Sequence, residues 1–298
     1  MTYKLVLGDY AYSSWSLRAW LLFEKFNIPR DTSFVSFSNP ATVADQMPNF
    51  APARTVPAIK TPDGVVLGDS LALAEELASR HPGAGLWPQD PAHRAAARAI
   101  TAEMHSSFSA LRTACPMSLY TGYDWSNPSD EVRADLARIE TLWAYARDIC
   151  KADGPWLCGA YSIADAFYAP VAARIAGFSL PVSAPAQGYV AAHLNDPAFR
   201  RWRSMALANG VVLERYAQTH AVLDWPGPAT VAAKAVTGQT PENDACPYSG
   251  KAAKDCLQLE DGRVFGFCNP FCRDKTVADP MAWPAFVELA FPDTPAPD

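Results

Sequence analysis

Short apolar runs alternate with helical periodicity as far as residue 80, and no strand pattern returns before about residue 220. That change of rhythm limits the fold more than any single residue does. Residues 3–8 (YKLVLG) form an apolar run of strand length, followed by the turn-like Asp9-Tyr10-Ala11-Tyr12. From residue 15 to residue 26 the period becomes helical: Leu17, Leu21, Leu22 and Phe26 share a face, and Pro29 lies beyond the end. A second strand is expected over residues 32–37. Residues 55–59 and 65–67 bracket Pro62-Asp63-Gly64 as a hairpin. A helix then runs over residues 71–80, capped by Asp69 or Ser70. The order β-α-β-(short α)-β-β-α is an α/β domain of residues 1–81.

A Pro/Gly-containing connector leads to an all-α domain, residues 91–220. One helix is expected over residues 95–111, with Ile100, Met104, Phe108 and Leu111 on its inner face. Asn127-Pro128 caps another that runs to Cys150. Ser162-x-x-Asp165 is a capping-box variant opening a third, and Asp196-Pro197 opens a fourth. Three or four long helices without strands are expected. Residues 222–244 read as a linker, residues 244–290 as a compact cysteine-rich segment, and the final PDTPAPD as a disordered tail.

Net charge is −6, which provides no electrostatic attraction to nucleic acid or an anionic membrane. No run reaches the roughly 18 apolar residues that would span a bilayer. The N-terminus lacks the apolar stretch of a secretory signal, so the expected location is the cytoplasm. There the seven cysteines are not expected to form a disulfide framework.

A serine-rich loop, Ser13-Ser14-Trp15-Ser16, stands between the first strand and the first helix. Unpaired amides at a helix N-terminus favour negative charge, and a hydroxyl there can donate to an anion. Lowering a thiol pKa from about 8.5 by ~1.5–2 units needs roughly 2–3 kcal/mol. One charge-assisted hydrogen bond together with the helix dipole supplies about that much. The bland alternative is a serine that serves only as N-cap.

Three separated motifs place this serine in a larger pattern. Ser13-Ser14-x-Ser16-x-Arg18, Asn49-Phe50-Ala51-Pro52 leading to Val56-Pro57, and Asp69-Ser70 occur in the order found in the cytosolic glutathione transferases. The chain resembles that family over residues 3–218, and Ser162-x-x-Asp165 matches its helical-domain signature. The resemblance implies a thioredoxin-like first domain, an all-α second domain and a homodimer. It implies that Ser13 activates the glutathione thiol, as in the zeta and related serine-type classes. Val56, before a cis-Pro57, would pair its backbone with the cysteinyl part of glutathione. Ser14, Asp69 and Ser70 would complete the glutathione contacts, with Asp69 and Ser70 on the γ-glutamyl group.

Trp15 stands where zeta-class isomerases have cysteine, which speaks against maleylacetoacetate isomerisation. The absence of Cys-x-x-Cys from the first domain argues against disulfide exchange, and a cysteine-free active loop argues against the omega class. Tyr10 and Tyr12 are rival thiolate donors. The electrophile pocket of the family lies between its two domains, with Tyr12, His105 and Arg112 as candidate lining. His105 and Arg112 are seven apart and would share a helical face, able to orient an anionic substrate. Tyr120, Tyr123 and Trp125 are candidates for an aromatic rim.

Cys246, Cys268 and Cys272 follow the pattern Cys-x21-Cys-x3-Cys. Soft thiolates at short spacing suit zinc or copper(I). The segment resembles the small TRASH/YHS-type modules: a Cys-Pro-x-x-Gly-like start, an apolar-aromatic strand, a Cys-x3-Cys turn and a helix ending near Asp-Pro. It reads as a β-hairpin/helix zinc module, with the fourth ligand open among water, Asp255 or a more distant group. With Asp261-Gly262 as a two-residue turn, Cys256 would oppose Phe267 and point away from Cys268. A bulge would reverse that inference. These features imply a transferase joining glutathione to a small electrophile. The alternative is a non-catalytic binding or metal-sensing protein on the same fold.

Overall fold

The computed structural model describes residues 2–294; the last four residues of the expected disordered tail lie outside the described residues. The chain divides into two compact units, Met1–Leu194 with Val212–Pro226, and Asn195–Val211 with Gly227–Asp298.

In the first unit, strand β1 (Tyr3–Leu7) leads into helix α1 (Ser14–Lys25) and strand β2 (Arg30–Phe34). A one-turn helix α2 (Val43–Gln46) follows, then strands β3 (Ala58–Lys60) and β4 (Val66–Leu67) and helix α3 (Ser70–Arg80). The sheet order is β2-β1-β3-β4. β1 runs parallel to β2 and antiparallel to β3, with Leu5 opposite Ile59. The parallel β1–β2 pair needs a crossover, and α1 supplies it. Leu17, Leu21 and Leu22 are buried along α1, each contributing about 2–3 kcal/mol of transfer free energy. Asp69 caps α3 by accepting from the Leu71 and Ala72 amides at 2.8 and 3.0 Å.

Helices α4 (Pro91–Ser106), α5 (Ser109–Ala114), α6 (Asp130–Cys150), α7 (Ile163–Gly177) and α8 (Ala184–Asn195) complete the unit, with α7 packed against α1 and α4. The single helix expected over residues 95–111 is broken at Phe108, whose φ of +64° is left-handed. The break is held from both sides. Arg112 Nη2 donates to the carbonyls of Met104 and His105 at the end of α4, while Asp135 of α6 accepts from the Leu111 amide at 2.9 Å. The shared helical face of His105 and Arg112 is therefore lost. α6 is capped by Ser129 rather than by Asn127. The unit also contains a strand pair that local pattern did not reveal. β5 (Gly122–Asp124) pairs antiparallel with β6 (Ala221–Leu223), pinned by a Thr121 Oγ1 bond of 2.6 Å to the Leu223 carbonyl.

The capping box at α7 is fully engaged. Asp165 accepts from the Ser162 amide and hydroxyl, the Leu157 amide and the Tyr189 hydroxyl, at 2.9–3.1 Å. α7 is buried nearly all round, which marks a helix at the centre of a packed layer.

The second unit contains helix α9 (Pro197–Asn209), which lies within the 91–220 stretch of the chain but packs here on helix α10 (Pro270–Ala278). Arg200 and Asp279 join the two helices with bonds of 2.8 and 2.7 Å. Strands β7 (Ala233–Val236), β8 (Asp255–Leu259) and β9 (Val264–Phe267) form an antiparallel sheet, and helix α11 (Pro284–Ala290) closes the unit. β7 falls within the expected linker, so the hairpin belongs to a three-stranded sheet with β8 in the middle.

The β8–β9 register also differs from expectation. Cys256 opposes Gly266, and Asp255 opposes Phe267. The turn holds three residues, Glu260-Asp261-Gly262, closed by the Leu259 amide on the Arg263 carbonyl at 2.9 Å, with Gly262 at φ +90°. That is the three-residue hairpin with a left-handed glycine, not the two-residue one.

Candidate functional site

A cavity of about 650 Å³ opens at the N-terminus of α1. Gly8 at the end of β1 lets the backbone enter the loop, since a Cβ there would meet the Phe37 ring at 2.5 Å. Ser13 is the N-cap of α1. Its Oγ accepts from the Ser16 amide at 3.3 Å and donates to Ser16 Oγ at 2.7 Å, and Ser16 Oγ also accepts from the Gly8 amide. Ser14 lines the same cavity, and its hydroxyl makes no hydrogen bond among the described residues. The two serines are thus in different states, one engaged in capping and one open.

The rival tyrosines are also placed. Tyr12 lines the cavity, stacks on Tyr216 at 4.5 Å and accepts from the Leu213 amide at 3.1 Å. Tyr10 packs on Phe34 away from the cavity lining. Burial raises the pKa of both phenols, so both are neutral at pH 7.

Residues of the β3–α3 region form the next part of the wall. The Val56-Pro57 peptide is cis, as is Ala51-Pro52. The Val56 amide and carbonyl pair with no described backbone group, although both need partners once water is excluded. Asp69 uses one carboxylate oxygen as the α3 cap and holds the other 3.3 Å from His105 Nε2. Ser70 is buried, and its Oγ has no partner among the described residues. Ser14, Val56 and Ser70 thus bring unpartnered polar groups to one cavity.

The remaining wall comes from α5, α7 and the segment around Tyr216. Arg112, Met117, Arg174 and Tyr216 line it, with the exposed Arg54 from the loop before β3. His105 is not among the lining residues. It lies edge-on to Trp15 at 5.3 Å, and burial lowers its pKa while Asp69 raises it. Tyr120 meets Tyr12 at 5.9 Å, whereas Tyr123 and Trp125 pack on Phe178; none of the three lines the cavity. Sequence reasoning missed Arg174, Arg54 and Tyr216. Arg174 did leave a signal, as the one arginine in the otherwise apolar run of residues 166–177.

In the second unit, the Sγ atoms of Cys246, Cys268 and Cys272 lie within 4.8 Å of one another. Asn269 caps α10 through the Cys272 amide at 2.8 Å, which sets the Cys-x3-Cys turn at a helix start. Cys268 Sγ accepts from Ser249 Oγ at 3.2 Å and Asn269 Nδ2 at 3.3 Å. Burial works against the Cys246 thiolate, but donors from Cys268, Tyr248 and Ser249 outweigh it and hold the thiol down at about 7. Burial and the neighbouring sulfurs push Cys272 up to about 12.

Cys256 is not a member of this group, but the reason differs from the one strand alternation suggested. The three-residue turn puts Cys256 opposite Gly266, hence on the face that Cys268 would continue. Its sulfur instead points to the Gln239 carbonyl, at 3.7 Å.

Residues 12–80 match the family described as glutathione S-transferase, N-terminal domain. Solved structures share the fold at low identity. A glutathione transferase homolog from Burkholderia with bound glutathione is 20% identical, with a TM-score of 0.50; the match covers 69% of this chain and 98% of that one. A glutathione transferase from Methylococcus capsulatus is 21% identical, with a TM-score of 0.51 and coverage of 68% and 98%. Glutathione transferase Omega 2S from Trametes versicolor is 20% identical, with a TM-score of 0.52 and coverage of 72% and 99%. No curated protein matches the chain. The match to the glutathione S-transferase N-terminal domain family is confined to residues 12–80, and the chain shares with these solved structures a two-part fold, thioredoxin-like and then helical.

Proposed function

We propose that the protein is a glutathione transferase that activates the glutathione thiol for attack on a small electrophile. The observation that carries this reading is the convergence of the Ser14 hydroxyl, the Val56 backbone and the buried Ser70 hydroxyl, all unpartnered, on a cavity at the start of α1. The Val56 amide and carbonyl suit an extended peptide backbone. Ser70 and the start of α3 suit the γ-glutamyl carboxylate, with Asp69 toward its ammonium group. In this reading Ser13 holds the thiolate by turning its proton from Ser16 Oγ to the sulfur. Ser14 is the second candidate for that role, favoured by its open hydroxyl. The test is calorimetric titration with glutathione, followed by steady-state assays on a panel of electrophiles. Binding with turnover supports a transferase; binding without turnover supports a binding protein on the same fold; no binding refutes both.

Cys246, Cys268 and Cys272 are the residues that would hold one zinc-like ion. The sulfurs suit it: a tetrahedral ion with Zn–S near 2.3 Å needs sulfurs about 3.8 Å apart, and Cys268 and Cys272 are 3.9 Å apart. Bound there, the ion would staple the loop at Cys246 to the start of α10. Such a staple adds folding free energy to the unit, because the bound state orders residues far apart in sequence. The fourth position stays open to water or an oxygen ligand. Asp255, one candidate, is engaged with Arg273 at 3.4 Å.

A further inference from the structure

Buried charges in proteins are almost always paired with an opposite charge. Two partly buried arginines elsewhere in the chain follow the rule: Arg30 pairs with Glu24 and Arg200 with Asp279. At the cavity the rule fails. Arg18, Arg112 and Arg174 make no ion pair among the described residues, although Arg18 is 1% and Arg174 7% exposed.

Each guanidinium is held by something other than a carboxylate. Arg18 sits over the rings of Trp15 and Phe167, at 4.4 and 4.9 Å, leaving Nε and Nη1 without partners. Arg112 lies 5.0 Å from the same Trp15 ring; its Nη2 is bonded to backbone carbonyls and its buried Nε has no partner. Arg174 donates Nε to the Cys115 carbonyl at 2.8 Å and Nη1 to the Pro170 carbonyl at 3.1 Å. Its Nη2 has no bond among the described residues. Nearby carboxylates are already committed: Asp135 to the Leu111 amide, Asp69 to the α3 cap and His105. Burial lowers the pKa of all three guanidiniums and Arg112 depresses Arg18 and Arg174 further, while Asp135 offsets the shift of Arg112, and Asp69 that of Arg18, only in part.

We propose that the second substrate supplies the missing counter-charge: an electrophile bearing a carboxylate that docks on Arg112 and Arg174, on the wall formed by α5 and α7. The proposal rests on the transferase reading above. The N–H groups that Arg112 and Arg174 leave unbonded, Arg174 Nη2 among them, can each donate a charge-assisted hydrogen bond to one carboxylate, and burial strengthens the pairing. Arg18, behind the wall, adds positive potential without touching the ligand.

Calorimetry on the wild-type protein with three probes tests this: glutathione, S-butylglutathione and S-(3-carboxypropyl)glutathione. The two conjugates have similar length and differ in the terminal carboxylate. The expected result is at least about tenfold tighter binding of the carboxylated conjugate, the scale of one charge-assisted pair. Arg174→Lys and Arg112→Met should each bring that ratio toward one. Equal affinities of the two conjugates, with glutathione itself bound, overturn the proposal and leave the transferase reading standing. Failure to bind glutathione overturns both. A wild-type preference that survives both substitutions, or variants that weaken all three probes equally, shows that these arginines are not the carboxylate site.

Discussion

Replacing Ser13 by alanine perturbs stability and chemistry through different bonds, so the two can be measured apart. Ser13 Oγ caps α1 through the Ser16 amide at 3.3 Å, and its proton goes to Ser16 Oγ at 2.7 Å. Loss of an N-cap costs about 0.5–2 kcal/mol. The long cap bond puts this case at the lower end, a fall in Tm of a few degrees at most. The chemical effect should be larger. A hydrogen bond to a charged group contributes roughly 1.5–3 kcal/mol, and one pKa unit is about 1.4 kcal/mol. Removing the donor should therefore raise the pKa of bound glutathione by about 1–2 units. The thiolate form is lost as pH falls through its pKa, so at pH 7 the rate should drop by about one to two orders of magnitude and recover toward alkaline pH. The assay is an ultraviolet titration of the bound thiolate, paired with a kcat/KM–pH profile and thermal unfolding. Ser14→Ala, which removes no cap, should leave Tm unchanged. If Ser14→Ala shows the pKa rise and Ser13→Ala shows only the loss of Tm, the thiolate belongs to Ser14. If neither variant moves the pKa, the start of α1 does not activate the thiol and the reasoning fails.

Elemental analysis should find one metal ion per chain, lost on Cys268→Ser and retained on Cys256→Ser; the opposite pattern would misassign the site. Because the thiols must be deprotonated to bind, and the Cys272 thiol is pushed up by burial and the neighbouring sulfurs, binding releases protons and occupancy should fall as pH is lowered. Chelation should increase hydrogen exchange in residues 245–290 while leaving glutathione affinity intact. Asp165→Ala removes four hydrogen bonds to a buried carboxylate and should cost about 3–5 kcal/mol in denaturant unfolding; a loss below about 1 kcal/mol would show that the box is dispensable. Light scattering should give twice the 32.3 kDa chain mass, the two-fold dimer the family resemblance implies; a concentration-independent monomer would exclude it.

Most of what could be read from the sequence depends on residues within one turn of each other. The Asp69 cap, the Ser162–Asp165 box, the Asp196-Pro197 start of α9 and the Cys268–Cys272 spacing all act over two to four positions. Chemistry at that range is settled by local geometry, whatever surrounds it. The order of strands and helices in the first eighty residues was legible for the same reason, through side-chain periodicity.

Tertiary structure decided the rest. Periodicity carried a helix through Phe108, but Asp135 of α6 and the Arg112 side chain reward a break there by satisfying the amide and carbonyls it frees. β5 finds β6 about a hundred residues away, and β7 turns a linker into a sheet edge. The Asp261-Gly262 turn gained one residue, changing the face of Cys256, because a single residue of register reverses every side chain of a strand. The arginine cluster was least visible of all. Arg18, Arg112 and Arg174 lie on three separate helices, and no local rule relates positions so far apart. Only packing α1, α5 and α7 together concentrates their charge where water can no longer screen it.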